Sequence, residues 1–399
     1  MTERSTFPGA TRIAGEPDGA APVSAGMTVA DRFRQFLHAT ALELEADIDR
    51  LQNFLAGDAH GERVRMLAYA GYRNGAEMRV SGRIVRYAEP LKTGRSTWSK
   101  ARAMMAIYNS HEVAGVDVRC AFGGVQHDAV SDEEGYFHFA LPVDRPLPSA
   151  TRWEAATLST PRREMQAASV AVPILAPGVD DRWGIISDID DTVIETGPTN
   201  FLKNWRRVFA ERPGDRLAVP GAASLYGVIA GNHAAPTRPF FYVSSSPWNL
   251  YGFLTEFMEL NRIPHGPMFL KDIGIDPTKF IKTGHDTHKL ASIETILAFY
   301  PDHRFLLMGD NGQMDVDIYA RAVRRFGQRV AAVFIRDVAG DCAQGPKAEA
   351  LAEIARAGVA TYCASGFADA VDILEKLGLA RPAEAAKAAG EIPASSSDA

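Results

Sequence analysis

Asp188-Ile189-Asp190-Asp191-Thr192 follow directly on the short apolar run Trp183-Gly184-Ile185-Ile186-Ser187. The run reads as a buried strand, which puts Asp188 and Asp190 at its C-terminal end. In an open α/β sheet that end is where ligands bind. Asp-x-Asp sends both carboxylates to the same side of the chain. One can attack a phosphorus atom, and the other can handle the proton of the leaving group. Three more pieces fall at expected strand or helix ends. Phe240-Phe241-Tyr242-Val243-Ser244 is a strand ending in a hydroxyl. Lys289 lies near a helix start. Phe305-Leu306-Leu307-Met308-Gly309-Asp310 is a strand ending in a carboxylate, with Asp315 five residues on.

Together these residues suit phosphoryl transfer. A phosphate ester is anionic and repels an attacking carboxylate, so a divalent cation has to neutralise both. Mg²⁺ takes hard oxygen ligands and keeps waters, so one or two carboxylates suffice, and Asp188 and Asp310 are the natural ones. Ser244 can donate to a phosphate oxygen, with Ser245 and Ser246 as competitors; Ser244 is favoured because it directly ends the strand. Lys289 supplies a point charge and is favoured over Lys271, Lys279 and Lys282 by its helix placement and by chain order. Asp190 can protonate the leaving oxygen and then take a proton from water. Thr192 can hold the loop through its hydroxyl. Asp191 is expected to be structural, pointing away from its two neighbours. His285 and His288 resemble a metal pair but lack further ligands at suitable spacing, so they read as loop residues.

The elements that must position these groups alternate. Strands are expected at 183–187, 239–244, 304–309, 330–335 and 359–363. Helices are expected near 201–211, 221–231, 248–261, 287–299, 314–326, 346–357 and 367–377. Such alternation implies a parallel sheet covered on both faces, an α/β domain over 181–380. Residues 176–180 read as a linker. Before it, 60–175 is β-rich: Val116, Val118, Cys120 and Phe122 alternate, as do Phe137, Phe139 and Leu141, with the turn Ser131–Gly135 between them. This predicts a small β-sandwich, with 95–110 as an inserted helix. Residues 27–59 read as an amphipathic helix opened by Thr28 and Asp31 and stopped at Gly57, its apolar face expected to pack on the body of the protein, with a dimer or membrane contact as the alternative. The tails 1–26 and 381–399 read as disordered.

The chain has 399 residues, 23% of them charged and 46% hydrophobic, as suits a soluble globular protein. A net charge of -6 argues against a general nucleic-acid-binding surface, and no nucleic-acid partner is expected. Cys120, Cys342 and Cys363 are an odd, widely spaced set that matches neither a disulfide framework nor a zinc site, which points to a reducing, cytoplasmic compartment. The first 25 residues carry no apolar core run of a signal peptide, and no stretch approaches 18 uninterrupted apolar residues.

The four pieces in this order resemble the haloacid dehalogenase superfamily of phosphatases over about residues 183–340. The resemblance implies a Rossmann-like three-layer fold with little or no cap. It implies Asp188 as nucleophile and Asp190 as acid and base. Ser244 and Lys289 would be phosphate ligands, and Asp310 with Asp315 would serve Mg²⁺, which the backbone carbonyl of Asp190 also binds. Asp188 to Thr196 (DIDDTVIET), Tyr242 to Tyr251 (YVSSSPWNLY), His288-Lys289-Leu290 and Gly309 to Tyr319 (GDNGQMDVDIY) are similar to the actin-patch-associated phosphatidate phosphatase family and its bacterial relatives. That implies a lipid phosphate such as phosphatidate as substrate, and a β-rich segment before the catalytic domain. The spacing of the family motif favours Asp315 over Asp317. The stretch 131–141 resembles transthyretin-like and carboxypeptidase-regulatory sandwiches.

Two substrate cues come from the residues themselves. The crossovers after Val193 and after Pro247 leave little chain for a lid, so an open site is expected, suited to a lipid in a membrane, a protein or a nucleic-acid end. Phe201, Leu202, Trp205, Val208 and Phe209 would share one helix face, beside Lys203, Arg206 and Arg207. Such a helix either packs this face on the sheet with its cations solvated or touches an anionic bilayer, giving peripheral membrane contact.

Overall fold

The computed structural model describes residues 63–87, 111–160, 169–194, 218–231, 238–271, 285–367 and 369–381. The helices expected at 27–59, 95–110 and 201–211 and the two tails lie outside the described residues.

The second half of the chain builds a six-stranded sheet from β10 (Trp183–Ser187), β11 (Phe240–Pro247), β12 (Met268–Lys271), β13 (Arg304–Asp310), β14 (Val330–Arg336) and β15 (Ala360–Ala364). Its order is β12-β11-β10-β13-β14-β15, and every pairing is parallel. Parallel strands buried on both faces read as continuous apolar runs, and β10 is buried at every position. Alternate side chains serve opposite cores. Ile185, Phe240, Tyr242, Leu306 and Met308 pack with helices α1 (Ala222–Gly231), α2 (Tyr251–Leu260) and α6 (Ala370–Lys376). Ile186, Phe241, Val243, Phe305 and Leu307 pack with α3 (His285–Phe299), α4 (Asp315–Phe326) and α5 (Gly345–Arg356).

From β10 the chain runs outward through β11 to β12 on one side, then returns to β13 and runs outward to β15 on the other. The direction reverses between β10 and β13, and the C-terminal ends of those two strands are the switch point at which α/β sheets bind ligands. Asp188 and Asp310 stand there. The short edge strand β12 is absent from the sequence reading, because four residues between Pro267 and the segment beyond Lys271 carry too little pattern. The histidine reading is corrected: His285 opens α3 and His288 lies inside it, not in a loop.

The first half is one hydrogen-bonded sheet of nine strands: β1 (Arg63–Ala68), β2 (Gly71–Arg73), β3 (Glu77–Tyr87), β4 (His111–Glu112), β5 (Asp117–Phe122), β6 (Val125–Val130), β7 (Tyr136–Pro142), β8 (Arg152–Ser159) and β9 (Val170–Ala176). The long β3 pairs with β1, β2, β4 and β7, and the inward side chains enclose a single core around Met78, Ile84, Val118, Phe137 and Ile174. The expected hairpin is corrected. The turn at Ser131–Gly135, with Gly135 at φ 79°, joins β6 to β7, and β7 pairs with β3. Strand β6 (VQHDAV) is almost wholly exposed and lacks the alternation that would reveal it.

The two halves dock closely. Tyr72 of β2 enters the second core of the parallel sheet, with its ring 5.0 Å from Phe299 and 6.1 Å from Phe241. Tyr300 donates to the carbonyl of Arg73 at 3.2 Å. The stretch after β9 is no loose linker. Gly178 N–H donates to Thr151 Oγ1 at 2.8 Å, and Val179 and Asp180 N–H donate to the carbonyls of Pro148 and Ser149.

The cysteine reading is also corrected. Cys342 and Cys363 are bonded, with Cα atoms 6.4 Å apart, and Cys120 alone is free and buried. Cys363 lies on β15 opposite Ile335, and the loop after β14 folds back to bring Cys342 beside it. Sequence spacing does not show that return. No described helix is long and apolar enough to cross a membrane.

Candidate active site at the C-terminal edge of the parallel sheet

Each acidic residue is placed by backbone. Asp188 continues β10, its N–H donating to the carbonyl of Met308 at 2.8 Å. The next residues form a tight turn in which Val193 and Ile194 N–H both donate to the carbonyl of Ile189, and Asp191 N–H donates to that of Ile194. Asp191 takes the left-handed conformation, φ 54°, that aspartate tolerates better than most residues. Its carbonyl accepts from Arg336 at 2.8 Å. The loop is therefore held by backbone bonds and Arg336. The expectation that the Thr192 hydroxyl holds it is corrected: Thr192 is fully buried, and its Oγ1 has no hydrogen-bond partner among the described residues.

Asp310 uses one oxygen to shape its own turn, Oδ1 accepting from Gly312 N–H at 2.6 Å and Gln313 N–H at 3.1 Å. Its Oδ2 is buried without a hydrogen-bond partner among the described residues. Asp315 opens α4 and approaches the strand end, accepting from Asp310 N–H through Oδ2 at 3.3 Å. Gly309 makes that approach possible. A Cβ there would lie 2.5 Å from Asp315 Oδ2 and 2.6 Å from the Tyr319 hydroxyl. Asp317, the alternative, is only half-buried and Asp315 fully buried.

Lys289, on the first turns of α3, reaches into this cluster. Its Nζ donates to Asp315 Oδ1 at 2.7 Å, lies 3.3 Å from Gln313 Oε1 and stands 3.1 Å from Asp188 Oδ1. The last is a charge contact without hydrogen-bond alignment, since neither Asp188 oxygen has a hydrogen-bond partner among the described residues. Burial lowers the Lys289 pKa, but Asp188 and Asp315 outweigh it and hold the amine charged.

The serines part company. Ser244 donates through Oγ to Asp190 Oδ2 at 2.7 Å and accepts from Ser246 N–H at 2.9 Å. The Ser246 hydroxyl lies 3.4 Å from both Asp190 oxygens. Ser245 Oγ is buried with no partner among the described residues. Ser244 and Ser246 thus hold the Asp190 carboxylate in place, while Ser245 has a hydroxyl to spare.

The electrostatics are lopsided. Oxygens of Asp188, Asp310 and Asp315 lie within 4.8 Å of one another, all three residues buried, against Lys289 among the described residues. Burial pushes the Asp188 carboxyl well above its ordinary range; Lys289 pulls it back, and Asp315, Asp190 and Asp310 push it further up. Asp310 is pushed up to about 7, by burial first and Asp315 second. Asp190 is raised by burial against the pull of Ser244 and Lys289. Buried like charges this close call for a cation. Three hard oxygen donors, with oxygens left over on Asp188 and Asp310, fit a small divalent ion.

Sequence reasoning missed Arg336, Gln313 and Asn311. Arg336 could have been found one residue beyond an expected strand end. Asn311 organises the next loop: its Oδ1 accepts from Val338 N–H at 2.7 Å and Ala339 N–H at 3.0 Å, and its amide meets Asp337 and Asp341. No spacing rule signals that role.

The geometry gathers three buried carboxylates, the Lys289 amine and the Asp190 carboxylate at one edge of the parallel sheet. Residues 183–337 match the family described as phosphatidate phosphatase APP1, catalytic domain. Phosphatidate phosphatase APP1 of Saccharomyces cerevisiae is 31% identical over 153 residues, covering 38% of this chain and 25% of that protein. An uncharacterized protein of Schizosaccharomyces pombe is 28% identical over 227 residues, covering 54% of this chain and 35% of that one. The chain thus spans about a quarter to a third of the length of these relatives. A carbohydrate acetylesterase structure from Xanthomonas citri covers 73% of this chain and 65% of its own, at 12% identity and a TM-score of 0.24, too low to carry an argument. The segment that matches this family contains Asp188, Asp190, Ser244, Lys289, Asp310 and Asp315.

Proposed function

We propose that the protein is a Mg²⁺-dependent phosphatase that hydrolyses a phosphomonoester through an aspartyl-phosphate, on a fold of the haloacid dehalogenase type, with a lipid phosphate such as phosphatidate as substrate. One observation carries the reading: Asp188 is buried at the strand end with both oxygens unclaimed by hydrogen bonds among the described residues, beside Lys289 and two further carboxylates.

Asp188, Asp310 and Asp315 would hold Mg²⁺, directly or through its waters. The ion would supply the positive charge that lets an anionic ester approach an anionic nucleophile. Asp188 attacks phosphorus through a carboxylate oxygen, and the bond to the ester oxygen breaks. Asp190, oriented by Ser244 and Ser246, protonates the departing alkoxide; its raised pKa helps it carry that proton. Asp190 then takes a proton from water, which attacks the aspartyl-phosphate, releases inorganic phosphate and restores Asp188. Lys289 holds Asp188 and Asp315 apart from each other's charge and can offset the transferring phosphoryl group. Ser245, whose hydroxyl has no partner among the described residues, can offer it to a phosphate oxygen. Lipid preference is supported by likeness to the yeast enzyme and by the short crossovers read from the sequence.

The test is phosphate release from a panel of lipid, nucleotide, sugar and peptide phosphates, with Mg²⁺ and with EDTA. Release from phosphatidate, abolished by EDTA, is expected. Release that persists in EDTA would overturn the metal's role, and a preference for a peptide or nucleotide phosphate would overturn the substrate.

A further inference from the structure

The segment carrying the serines is weakly held by its own sheet. Strand β11 pairs with β12 at Val243↔Phe269 and next at Pro247↔Lys271, so Ser244, Ser245 and Ser246 together face the single residue Leu270. Such a bulge breaks the ladder and re-aims side chains, leaving their direction to be set from outside. Asp190 receives one end of the bulge. The other end runs straight into the single 3₁₀ turn Trp248–Leu250 and then α2.

That turn is gripped by the β-domain. The buried Tyr69 ring stacks on Trp248 with centroids 4.3 Å apart and planes at 22°, and meets Tyr251 at 4.7 Å. Ala70 N–H donates to the Tyr251 hydroxyl at 2.8 Å. Arg83, 6% exposed, donates through Nη1 to Asn249 Oδ1 at 2.5 Å. Its guanidinium is fixed from the other side by Glu112 Oε1 at 2.8 Å, by the Glu134 carbonyl at 2.9 Å and by the Tyr136 ring at 4.5 Å. An arginine held at so many points is a rigid fork, and its remaining direction is Asn249.

We propose that Tyr69 and Arg83 of the β-domain are positioning residues for the Ser244–Ser246 bulge, so that the β-domain completes the catalytic site as well as preceding it in the chain. The inference rests on the phosphatase reading. The clamp acts on phosphate recognition and on the aim of Asp190, so loosening it weakens turnover of any phosphomonoester, soluble or membrane-borne. A β-domain that served only to dock on a bilayer would affect lipid substrate alone.

The experiment uses the full chain with Mg²⁺ and para-nitrophenyl phosphate. Asn249→Leu is expected to raise KM about tenfold, the scale of one lost charge-assisted hydrogen bond, with a smaller change in kcat. Asn249→Asp keeps the acceptor and is expected to recover most of the affinity. Arg83→Met should raise KM similarly, and the double variant should be no worse than the worse single one. A thermal melt of each variant separates this pattern from unfolding, which lowers kcat through the active fraction and leaves KM in place. A KM within twofold of wild type for Asn249→Leu, or additive effects in the cycle, would overturn the clamp while the phosphatase reading stands. Absence of phosphate release by the wild-type chain would overturn that reading and the clamp with it.

Discussion

Two buried clusters of charge in this chain have similar ingredients and opposite states. In the β-domain, Arg73 is completely buried, and its guanidinium donates to both oxygens of Glu154, at 2.7 and 2.9 Å, and to the carbonyls of Asn74, Arg145 and Pro146. Arg145 and Arg152 also face that glutamate. Burial raises the Glu154 pKa, and its arginine partners more than reverse it. In the parallel-sheet domain, three carboxylates share Lys289, and oxygens of Asp188 and Asp310 have no hydrogen-bond partner among the described residues. The first cluster is complete and holds a fold together. Among the described residues the second is incomplete, and the proposed cation and anionic ester would complete it. Incomplete buried charge costs stability, so its presence is a sign of work to be done.

The comparison can be broken most sharply at Asp188. On the proposed mechanism Asp188→Asn should lower phosphate release by on the order of 10⁴ or more, since it removes the nucleophile. In the absence of metal it should also raise the thermal midpoint by a few degrees, because one crowded negative charge disappears. Steady-state turnover and a melt in EDTA read the two together. A midpoint that falls would mean that the cluster is balanced after all.

Arg73→Met tests the complete cluster. It leaves Glu154 nearly buried without its fork, and urea unfolding of the full chain should show a loss of about 3 kcal/mol. A loss below about 1 kcal/mol, the value of an exposed pair, would make the first cluster ornamental.

The smallest effect belongs to a buried group without a counter-charge of this kind. Burial lowers the His303 pKa from 6.5 to about 4. The unfolded chain therefore binds a proton that the folded chain refuses between those values. Stability from this group is full above about pH 6.5 and falls as pH drops toward 4, by about 2 kcal/mol at pH 5. Denaturant titrations at pH 7 and pH 5 should show that His303→Phe changes the difference between the two pH values by about 2 kcal/mol relative to wild type, leaving the contributions of other shifted groups such as His265 and Asp310 in place. An unchanged difference would place the acid sensitivity elsewhere.

Much of this was legible in the sequence, unevenly. The strands β10, β11, β13, β14 and β15 were readable because parallel strands buried on both faces are dense apolar runs between polar breaks. The short β12 and the exposed β6 were not, since one is brief and the other has no buried face. Asp188, Asp190, Lys289, Asp310 and Asp315 could be chosen because each falls at a predictable strand or helix end. The roles of the serines could not be sorted, because a bulge redirects side chains in a way that strand periodicity cannot express.

By itself the sequence determined which residues stand at the active edge of the sheet, since side-chain order along a strand follows from the chain's own geometry. Tertiary structure alone decided what each of them touches. It gave Ser244 to Asp190, left Thr192 without a partner among the described residues, and joined Cys342 to Cys363. It also set Arg83, 166 residues away in the chain, against Asn249. Contacts of that length depend on how two independently patterned halves dock, and local periodicity carries no record of docking.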